Sequence, residues 1–380
     1  MHPDELPALA KELAPAPRIA LDIEGDGFHR YRARLCTLQL AAVQLDAVQL
    51  GAVQLGAVQL GADEAVRVVD TLRIEELAPL AALLGEGGPV KVVHDASFDA
   101  RMLARRGITL ARVFDTSIAA RFLGESATGL ASLLARHLGV TLVKEEQQGD
   151  WGARPLSPEQ LDYLVADVTH LLPLAALLEA RLREADLIEE VQEETRYMLA
   201  RALEPEPVRE PWTRIKGARD LPPSALALLS ALADVREREA ERRDVPPFRV
   251  APNGALFEAA RRDVREIGPL RQVRGLRGLD DDALASAIAL SERGPPLEEE
   301  PAAPPPEERA RRRAREKALS TWRRAEAERR GVNEQAVLPG HCLRDLAGAD
   351  GASLDVLAQV EGLGAKRIER YGGALIALLG

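Results

Sequence analysis

Four acidic residues and one tyrosine have the types and spacing to do chemistry. Asp22 and Glu24 close a short β-rich run, and a spacing of two places both carboxylates on one face of a strand. Sites in α/β sheets are usually built at strand ends. Because acids beside an apolar strand are costly unless a positive group meets them, the pair indicates a bound cation. A solvated strand end is an equally simple alternative.

The other acids lie on predicted helices. Asp99 follows the fourth predicted strand, where an ordinary first-turn aspartate would be favoured by the helix dipole. Tyr163 and Asp167 are four positions apart, which places hydroxyl and carboxylate on one helical face. A half-buried tyrosine beside a surface acid is the structural alternative for that pair.

Together the four carboxylates make an oxygen-only ligand set, which hard divalent cations such as Mg²⁺ or Mn²⁺ prefer. Two such ions ~4 Å apart can activate a water and stabilise the leaving oxygen of a phosphodiester. A tyrosine one helical turn from the last ligand can orient the attacking water. The sequence therefore predicts a two-metal site formed by Asp22, Glu24, Asp99 and Asp167, with Tyr163 beside them.

The elements that carry these residues read as an α/β domain with a mixed sheet. Strands are predicted at 18–23, 34–40, 66–70, 90–94 and 112–115. Helices at 96–106 and 129–138 end at glycines suited to a left-handed C-cap. The helix that carries Tyr163 has a capping box, Ser157-Pro158-Glu159-Gln160, and its apolar spacing continues to about Leu172.

The 380 residues, at ~150 per domain, allow two or three domains. Strand signals stop after Glu204, and helices are predicted at 222–243, 252–264 and 279–292. A Pro/Glu-rich linker separates them from a last helical region. The predicted domains are a catalytic domain at 1–204, a helical domain at 205–292, the linker at 293–308 and a second helical domain at 309–380. A chain that ends near residue 205 is expected to fold and act alone.

Composition excludes several classes. The excess of 60 acids over 50 bases argues against a simple DNA-coating protein. Two cysteines, Cys36 and Cys342, cannot form a disulfide framework or a cysteine zinc cluster, and favour a reducing cytoplasm. No run approaches ~18 uninterrupted apolar residues, so no membrane span is predicted. The acidic, proline-containing start differs from a secretory signal.

Residues 41–60 are four tandem copies of a pentapeptide, AAVQL-DAVQL-GAVQL-GAVQL. A period of five fits neither a strand nor a helix, and four copies are too few for a solenoid. We interpret the segment as an expanded loop between two strands. A binding role and a modest aggregation hazard are the alternatives, because the segment is β-prone and nearly uncharged.

Several segments of the sequence resemble a known family. The segments IALDIEGDGFHRYRARLCTLQLA, VVHDASFDARML, FDTSIAARFLG and LSPEQLDYLVADVTHLLPL are similar to ribonuclease D, in the tyrosine-containing branch of the DEDD 3′→5′ exonucleases. The resemblance covers nearly the whole chain except the repeats. It implies a ribonuclease H-like catalytic fold, followed by two small helical domains of the type shared by helicases and ribonuclease D, called HRDC. One departure is isoleucine between the first two acids, where threonine is common.

The resemblance also implies site residues and a substrate. By match to the motifs, the four acids hold the metals and Tyr163 positions the water. Substrate contacts are expected from a stretch before the capped helix and from its end, with packing as the alternative role: Lys144, Gln148, Trp151, Arg154 and His170. His94, Asp95 and Asp115 are expected to brace the fold.

The resemblance implies a partner, RNA with a free 3′ end, and a tRNA precursor in particular. Single-stranded DNA stays an alternative substrate, and a catalytically idle RNA-binding scaffold stays an alternative function. The last helical region is similar to HRDC at 319–323, in Gly362-Leu363-Gly364 and in Arg370-Tyr371-Gly372. Residues 309–330 carry ten Lys/Arg against three acids, which fits phosphate contact or a solvated helix equally well. Protein partners stay unknown from the sequence.

Overall fold

The computed structural model describes residues 3–42, 66–74, 76–142, 149–205, 209–295 and 304–380. It places them in two compact units. The first comprises Met1–Glu24, Leu35–Glu204 and Pro304–Gly380, and the second comprises Gly25–Arg34 and Pro205–Ala303.

The first unit contains one mixed sheet. Among the described residues its strands are β1 (Arg18–Gly25), β2 (Leu35–Ala42), β3 (Arg67–Asp70), β4 (Val90–Val93) and β5 (Val113–Asp115). Their order in the sheet is β3-β2-β1-β4-β5. β4 runs parallel to both β1 and β5, whereas β2 and β3 pair antiparallel. The predicted α/β class and mixed sheet are confirmed, and strand ends shift by one or two residues.

Helices flank the sheet and continue after it. In the catalytic part they are α1 (Leu6–Leu13), α2 (Ala81–Leu84), α3 (Ala96–Ala104), α4 (Thr116–Phe122), α5 (Leu130–Leu138), α6 (Pro158–Thr169), α7 (Leu171–Glu184) and α8 (Ile188–Leu203). Short 3₁₀ turns lie at Pro3–Glu5 and Ala78–Leu80. The core is formed by leucines and small residues of β1, β4 and α4 to α8.

The capping box at the start of α6 is confirmed. Ser157 accepts a hydrogen bond from the Gln160 amide, and the Gln160 side chain accepts one from the Ser157 amide, both at 3.1 Å. The helix was expected to run to about Leu172, but it ends at Thr169. Pro173 explains the break, because it has no N–H to donate to the carbonyl four residues earlier.

The stretch Pro158–Glu184, which is α6 followed by α7, is long and apolar enough to cross a membrane by composition. That composition also fits a core helix, and Leu171, Leu174 and Leu178 of α7 are buried in the catalytic core. The absence of a membrane span stays a prediction.

The last helices belong to the same compact unit as the catalytic part. They are α14 (Pro306–Arg330), α15 (Glu334–Val337), α16 (Gly340–Gly348), α17 (Leu354–Ala358) and α18 (Ala365–Leu379). His341 Nε2 lies 3.2 Å from Glu194 of α8, and Arg370 forms ion pairs with Glu190 and Asp186. A chain that stops near residue 205 would lose these contacts. We therefore expect such a chain to be less stable than the full-length protein.

The second unit is helical. It contains α9 (Pro223–Arg243), α10 (Pro247–Val250), α11 (Asn253–Arg261), α12 (Ile267–Gln272) and α13 (Asp281–Ser291), with 3₁₀ turns at Pro211–Arg214, Ala218–Asp220 and Leu276–Gly278. The loop Gly25–Arg34 belongs to it, because Arg30 pairs with Asp244 at 2.5 Å and Tyr31 packs on its core. The predicted domain boundaries at 204, 292 and 308 stay predictions.

Of the pentapeptide repeats, the structure describes Ala41 and Ala42, which end β2. The other repeat residues lie outside the described part of the chain, so the loop interpretation stays a prediction.

Candidate active site

β1 positions the first two acids. Ile19, Ala20 and Leu21 are fully buried, which fixes the strand between β2 and β4 at the middle of the sheet. Near the end of the strand, Asp22 and Glu24 alternate with buried Ile23 and remain half-buried. Both carboxylates therefore project from one face of the sheet, as the spacing predicted.

α6 brings a third acid to them. Leu164 and Val168 are buried, which sets the helix rotation and leaves Tyr163 and Asp167 on a shared side. The Tyr163 hydroxyl hydrogen-bonds to the Asp167 carboxylate. One carboxylate oxygen from each of Asp22, Glu24 and Asp167 lies within 4.8 Å of the other two.

Asp99 lies in the first turn of α3 and is only 4% exposed. Burial, and after it the charges of Asp22 and other nearby acids including Glu24, raise the pKa of its carboxyl group. Oxygen Oδ2 is buried and has no hydrogen-bond partner among the described residues. A buried acceptor without a partner is costly, so a ligand bound by this oxygen would lower that cost.

The turn before α3 is braced as expected. Asp115 accepts hydrogen bonds from the amides of Asp95 and Ala96, and also from those of Ser117 and Ile118 at the start of α4. Asp95 itself has a left-handed backbone, φ 66°. His94 Nδ1 lies 2.8 Å from Thr116 Oγ1. These contacts hold the end of β4, from which α3 carries Asp99 into the site.

The electrostatics of the cluster favour a cation. Burial, followed by repulsion from Asp167, raises the pKa of Asp22 to about 8. Burial and the charges of Asp22 and Asp167 raise that of Glu24 to about 9. Burial raises the pKa of Asp167 to about 6, against the hydrogen bond from Tyr163. Burial also raises the pKa of Asp99 and of Tyr163. Divalent cations would offset this repulsion, and the oxygen-only donor set fits Mg²⁺ or Mn²⁺.

Trp151 and Arg154 have packing roles in the structure. Trp151 is 1% exposed, and its ring lies 5.6 Å from that of Tyr163 at an interplanar angle of 43°. Arg154 donates to both carboxylate oxygens of Asp70, at 2.8 and 2.7 Å, and to the carbonyl of Cys36 at 2.9 Å. Its remaining nitrogen donates to two local carbonyls. These contacts support the packing alternative for both residues.

Sequence reasoning missed Asp70 as a partner of this region. It ends β3, and although burial acts to raise its pKa, the hydrogen bonds and charge of Arg154 lower it overall. The signal was an acid at a strand end, the same feature that identified Asp22. The pair joins β3 to the loop before α6 and thereby fixes the approach of the helix that carries Tyr163.

The remaining substrate candidates are less defined. Lys144 and Gln148 lie outside the described residues. His170 is half-buried at the junction of α6 and α7, where burial lowers its pKa. The structure thus brings Asp22, Glu24, Asp99, Tyr163 and Asp167 together. The roles of these residues in catalysis and metal binding stay predictions.

Comparison with known proteins agrees with this site. Residues 2–183 match the family described as 3'-5' exonuclease, and residues 225–278 and 312–379 match the HRDC domain. The first of these matches spans the four acids and the tyrosine.

Several curated relatives are named ribonuclease D. Ribonuclease D of Escherichia coli is 32% identical over 277 residues, which cover 72% of this chain and 68% of that protein. Ribonuclease D of Gluconacetobacter diazotrophicus is 32% identical over 306 residues, which cover 77% of this chain and 72% of that protein. The match to the Cronobacter turicensis enzyme is 37% identical but spans 57% of that protein.

Solved structures extend the likeness to the whole chain. The crystal structure of Escherichia coli RNase D superposes with a TM-score of 0.65 at 27% identity, covering 99% of this chain and 96% of that one. A Bifidobacterium adolescentis protein shares the fold, with a TM-score of 0.74 at 22% identity. Motifs, domain matches and relatives thus agree, and the chain belongs to the ribonuclease D family, as a hydrolytic 3′–5′ exoribonuclease with an HRDC region.

Proposed function

We propose that this chain trims RNA from the 3′ end, with tRNA precursors as its main substrates, and that it releases 5′-nucleotides by a two-metal hydrolysis. The observation that carries the proposal is the convergence of Asp22, Glu24 and Asp167 within 4.8 Å, beside buried Asp99 and Tyr163. The Escherichia coli relative is described as an exoribonuclease involved in structured RNA processing, which supports a structured RNA as substrate here.

The cations are Mg²⁺ or Mn²⁺, held by the four acids. Asp99 Oδ2 is buried without a hydrogen-bond partner among the described residues, so a bound cation would supply the contact that this oxygen lacks. When bound, two such ions activate a water and stabilise the charge on the leaving oxygen. Without them, four carboxylates would repel the phosphodiester, which is itself an anion.

Tyr163 orients the attacking water. Its O–H donates to Asp167, which leaves the lone pairs of the phenol oxygen to accept a hydrogen bond from that water. Burial and neighbouring carboxylates raise the pKa of Tyr163, so it stays a neutral hydroxyl and is not a general base. Buried Trp151 supports the ring and fixes the position of the hydroxyl. Lys144, Gln148 and His170 remain proposed substrate contacts.

Two alternatives differ from this proposal, one in substrate and one in activity. An exonuclease acting on single-stranded DNA would use the same carboxylates, since these do not contact a 2′-hydroxyl. An idle RNA-binding scaffold would have no need to retain four acids that repel one another in a half-buried cluster. The cost of keeping them together favours catalysis. We propose the cytoplasm as its location, because two cysteines, buried Cys36 and Cys342, cannot form the disulfide framework usual in secreted domains.

The test uses the full-length protein with labelled RNA and DNA of one sequence, each with a 3′-hydroxyl or a 3′-phosphate. We expect stepwise loss of 5′-nucleotides from 3′-hydroxyl RNA with Mg²⁺ or Mn²⁺, and none with EDTA. A tRNA precursor with a 3′ extension should be shortened to a defined end. Cleavage that persists in EDTA would overturn the metal assignment. Faster cleavage of DNA than of RNA would favour an exonuclease acting on single-stranded DNA. Failure to cleave any substrate would favour an idle RNA-binding scaffold.

A further inference from the structure

The ten basic side chains of residues 309–330 fall into two groups in the folded chain. All of them lie on α14. Seven are bound to other groups of the protein, either to acids or, for Arg315 and Arg330, to backbone carbonyls and the Tyr371 hydroxyl. These seven are Arg311, Arg312, Arg315, Arg323, Arg324, Arg329 and Arg330. Their charges are engaged within the protein and do not by themselves indicate a ligand.

The other three cations are Arg309, Arg313 and Lys317. All three are exposed, and none forms an ion pair with the described residues. Glu316, which lies between Arg313 and Lys317 in the sequence, pairs with Arg312 at 3.4 Å instead. The chain as a whole has 60 acids against 50 bases, which repel a polyanion. Unpaired cations on an exposed face are therefore the place where a polyanion is attracted.

Arg309, Arg313 and Lys317 form a stripe along α14, because they are spaced four residues apart on one helix. Each step rises about 6 Å along the axis and turns by about 40°, so the three side chains share one exposed face. That rise is close to the separation of neighbouring phosphates on one RNA strand. Like charges at a spacing of four residues repel and destabilise a helix. A bound polyanion would offset this repulsion.

The α14 stripe offers no aromatic ring to a base. Trp322 is the only aromatic residue of the helix, and its ring packs edge-on against Tyr371, with centroids 5.3 Å apart, on the core side. Proteins that bind single-stranded RNA combine cations with aromatic rings on which the bases stack. Double-stranded RNA keeps its bases stacked inside and is bound mostly through its phosphates and 2′-hydroxyls. Cations without rings therefore fit the backbone of an RNA stem.

We propose that the α14 stripe binds three neighbouring phosphates of a double-helical RNA stem. This inference rests on the proposed function, because the stem belongs to the same structured RNA whose 3′ end is hydrolysed. α14 and the active-site acids lie in one compact unit, so a stem held on α14 stays on the unit that shortens its 3′ end. The contact uses charge alone and does not depend on the sequence of the stem.

The test compares two triple variants of the full-length protein that change the net charge equally. The stripe variant combines Arg309→Gln, Arg313→Gln and Lys317→Gln, in which glutamine keeps a good helix propensity. The control variant removes three exposed cations that already have acid partners, by Arg183→Gln, Arg196→Gln and Arg329→Gln. Binding of a labelled RNA hairpin with a single-stranded 3′ tail is measured in EDTA at several salt concentrations. Cleavage of the tail alone is measured with Mg²⁺.

For hairpin binding, the stripe variant should reduce the slope of log affinity against log salt by about 2.7, at about 0.9 for each contact with a duplex. The control variant should keep the wild-type slope. The two variants should cleave the tail alone at equal rates, because a single strand presents no stem to α14.

Two results would overturn the proposal. Equal hairpin slopes for the wild type and the stripe variant would show that α14 is a solvated helix. Slower cleavage of the tail by the stripe variant than by the control variant would show that the stripe contacts single-stranded RNA. Failure of the proposed function has a different signature. If the stripe variant reduces the hairpin slope while even the wild type cleaves no RNA, the stem contact is supported and the exonuclease assignment falls.

Discussion

Replacing Asp22 by Asn should have opposite effects on activity and on the stability of the metal-free protein. The change removes one metal ligand and one ionisable carboxyl group from the cluster while keeping side-chain size. Activity should fall by about 10³-fold or more, because loss of a ligand removes several kcal/mol of transition-state stabilisation. In EDTA, however, the variant should unfold at a higher temperature than the wild type.

The size of the stability gain follows from the distances. Ligand oxygens of Asp22, Glu24 and Asp167 lie within 4.8 Å of one another. At that separation, two unit charges repel by about 3.5 kcal/mol at an effective dielectric constant of 20. The carboxylates relieve part of this by taking up protons, as their raised pKa values indicate. We therefore expect a gain of about 1–3 kcal/mol, which corresponds to a few degrees in melting temperature.

The assay pairs single-turnover cleavage of RNA with thermal melting, each with Mg²⁺ and with EDTA. Wild-type protein should gain stability with Mg²⁺, by about 2.7 kcal/mol at 100 times the dissociation constant. Asp22→Asn should gain much less. The control is Asp162→Asn, the same chemical change on α6 at an exposed position, which should alter neither measurement.

Two results would refute this reasoning. Near wild-type cleavage by Asp22→Asn would show that the residue holds no essential cation. A lower melting temperature in EDTA for Asp22→Asn, with Asp162→Asn unchanged, would show that the carboxylate is stabilised by its neighbours and not repelled by them.

Three further predictions concern other parts of the chain. Tyr163→Phe should slow single-turnover cleavage about 5- to 150-fold, the value of one hydrogen bond worth about 1–3 kcal/mol, without changing RNA affinity. Burial lowers the pKa of Lys91 from 10.5 to about 8, so its charge destabilises the fold fully below pH 8 and less as pH rises to 10.5. Lys91→Met should therefore raise the free energy of unfolding by about 1–2 kcal/mol at pH 7, and by less at pH 10, in urea titrations. A chain ending at Glu204 should melt at a lower temperature than the full-length protein, because it loses the ion pairs that Glu190 and Glu194 form with the last helical region and exposes the face of α8 that this region covers. Glu190, 1% exposed in the full chain, shows that this face is buried. Equal melting of truncated and full-length protein would contradict this.

Local signals explain what the sequence predicted well. The strand ends with Asp22 and Glu24, the turn before Asp99 and the capping box of α6 each depend on residues within a few positions, and all are found in the structure. The pairing of Arg154 with Asp70 was missed because 84 positions separate them, and nothing local distinguishes a bracing arginine from a substrate contact. The break between α6 and α7 was a misjudged local signal, since Pro173 was visible in the sequence.

The packing of the last helical region against α8 could not be predicted from local sequence signals. Glu190 and Glu194 lie on a helix with many charged residues, which normally indicates a solvent-exposed face, yet both are almost fully buried. Their partners Arg370 and His341 follow 180 and 147 positions later. Only the folded chain shows that these charges are buried in pairs, an arrangement that removing one partner strongly destabilises. α8 also packs on α3, which carries Asp99. The HRDC region at 312–379 therefore supports the helix that packs on α3, so its loss should affect catalysis through Asp99 even on RNA too short to reach that region.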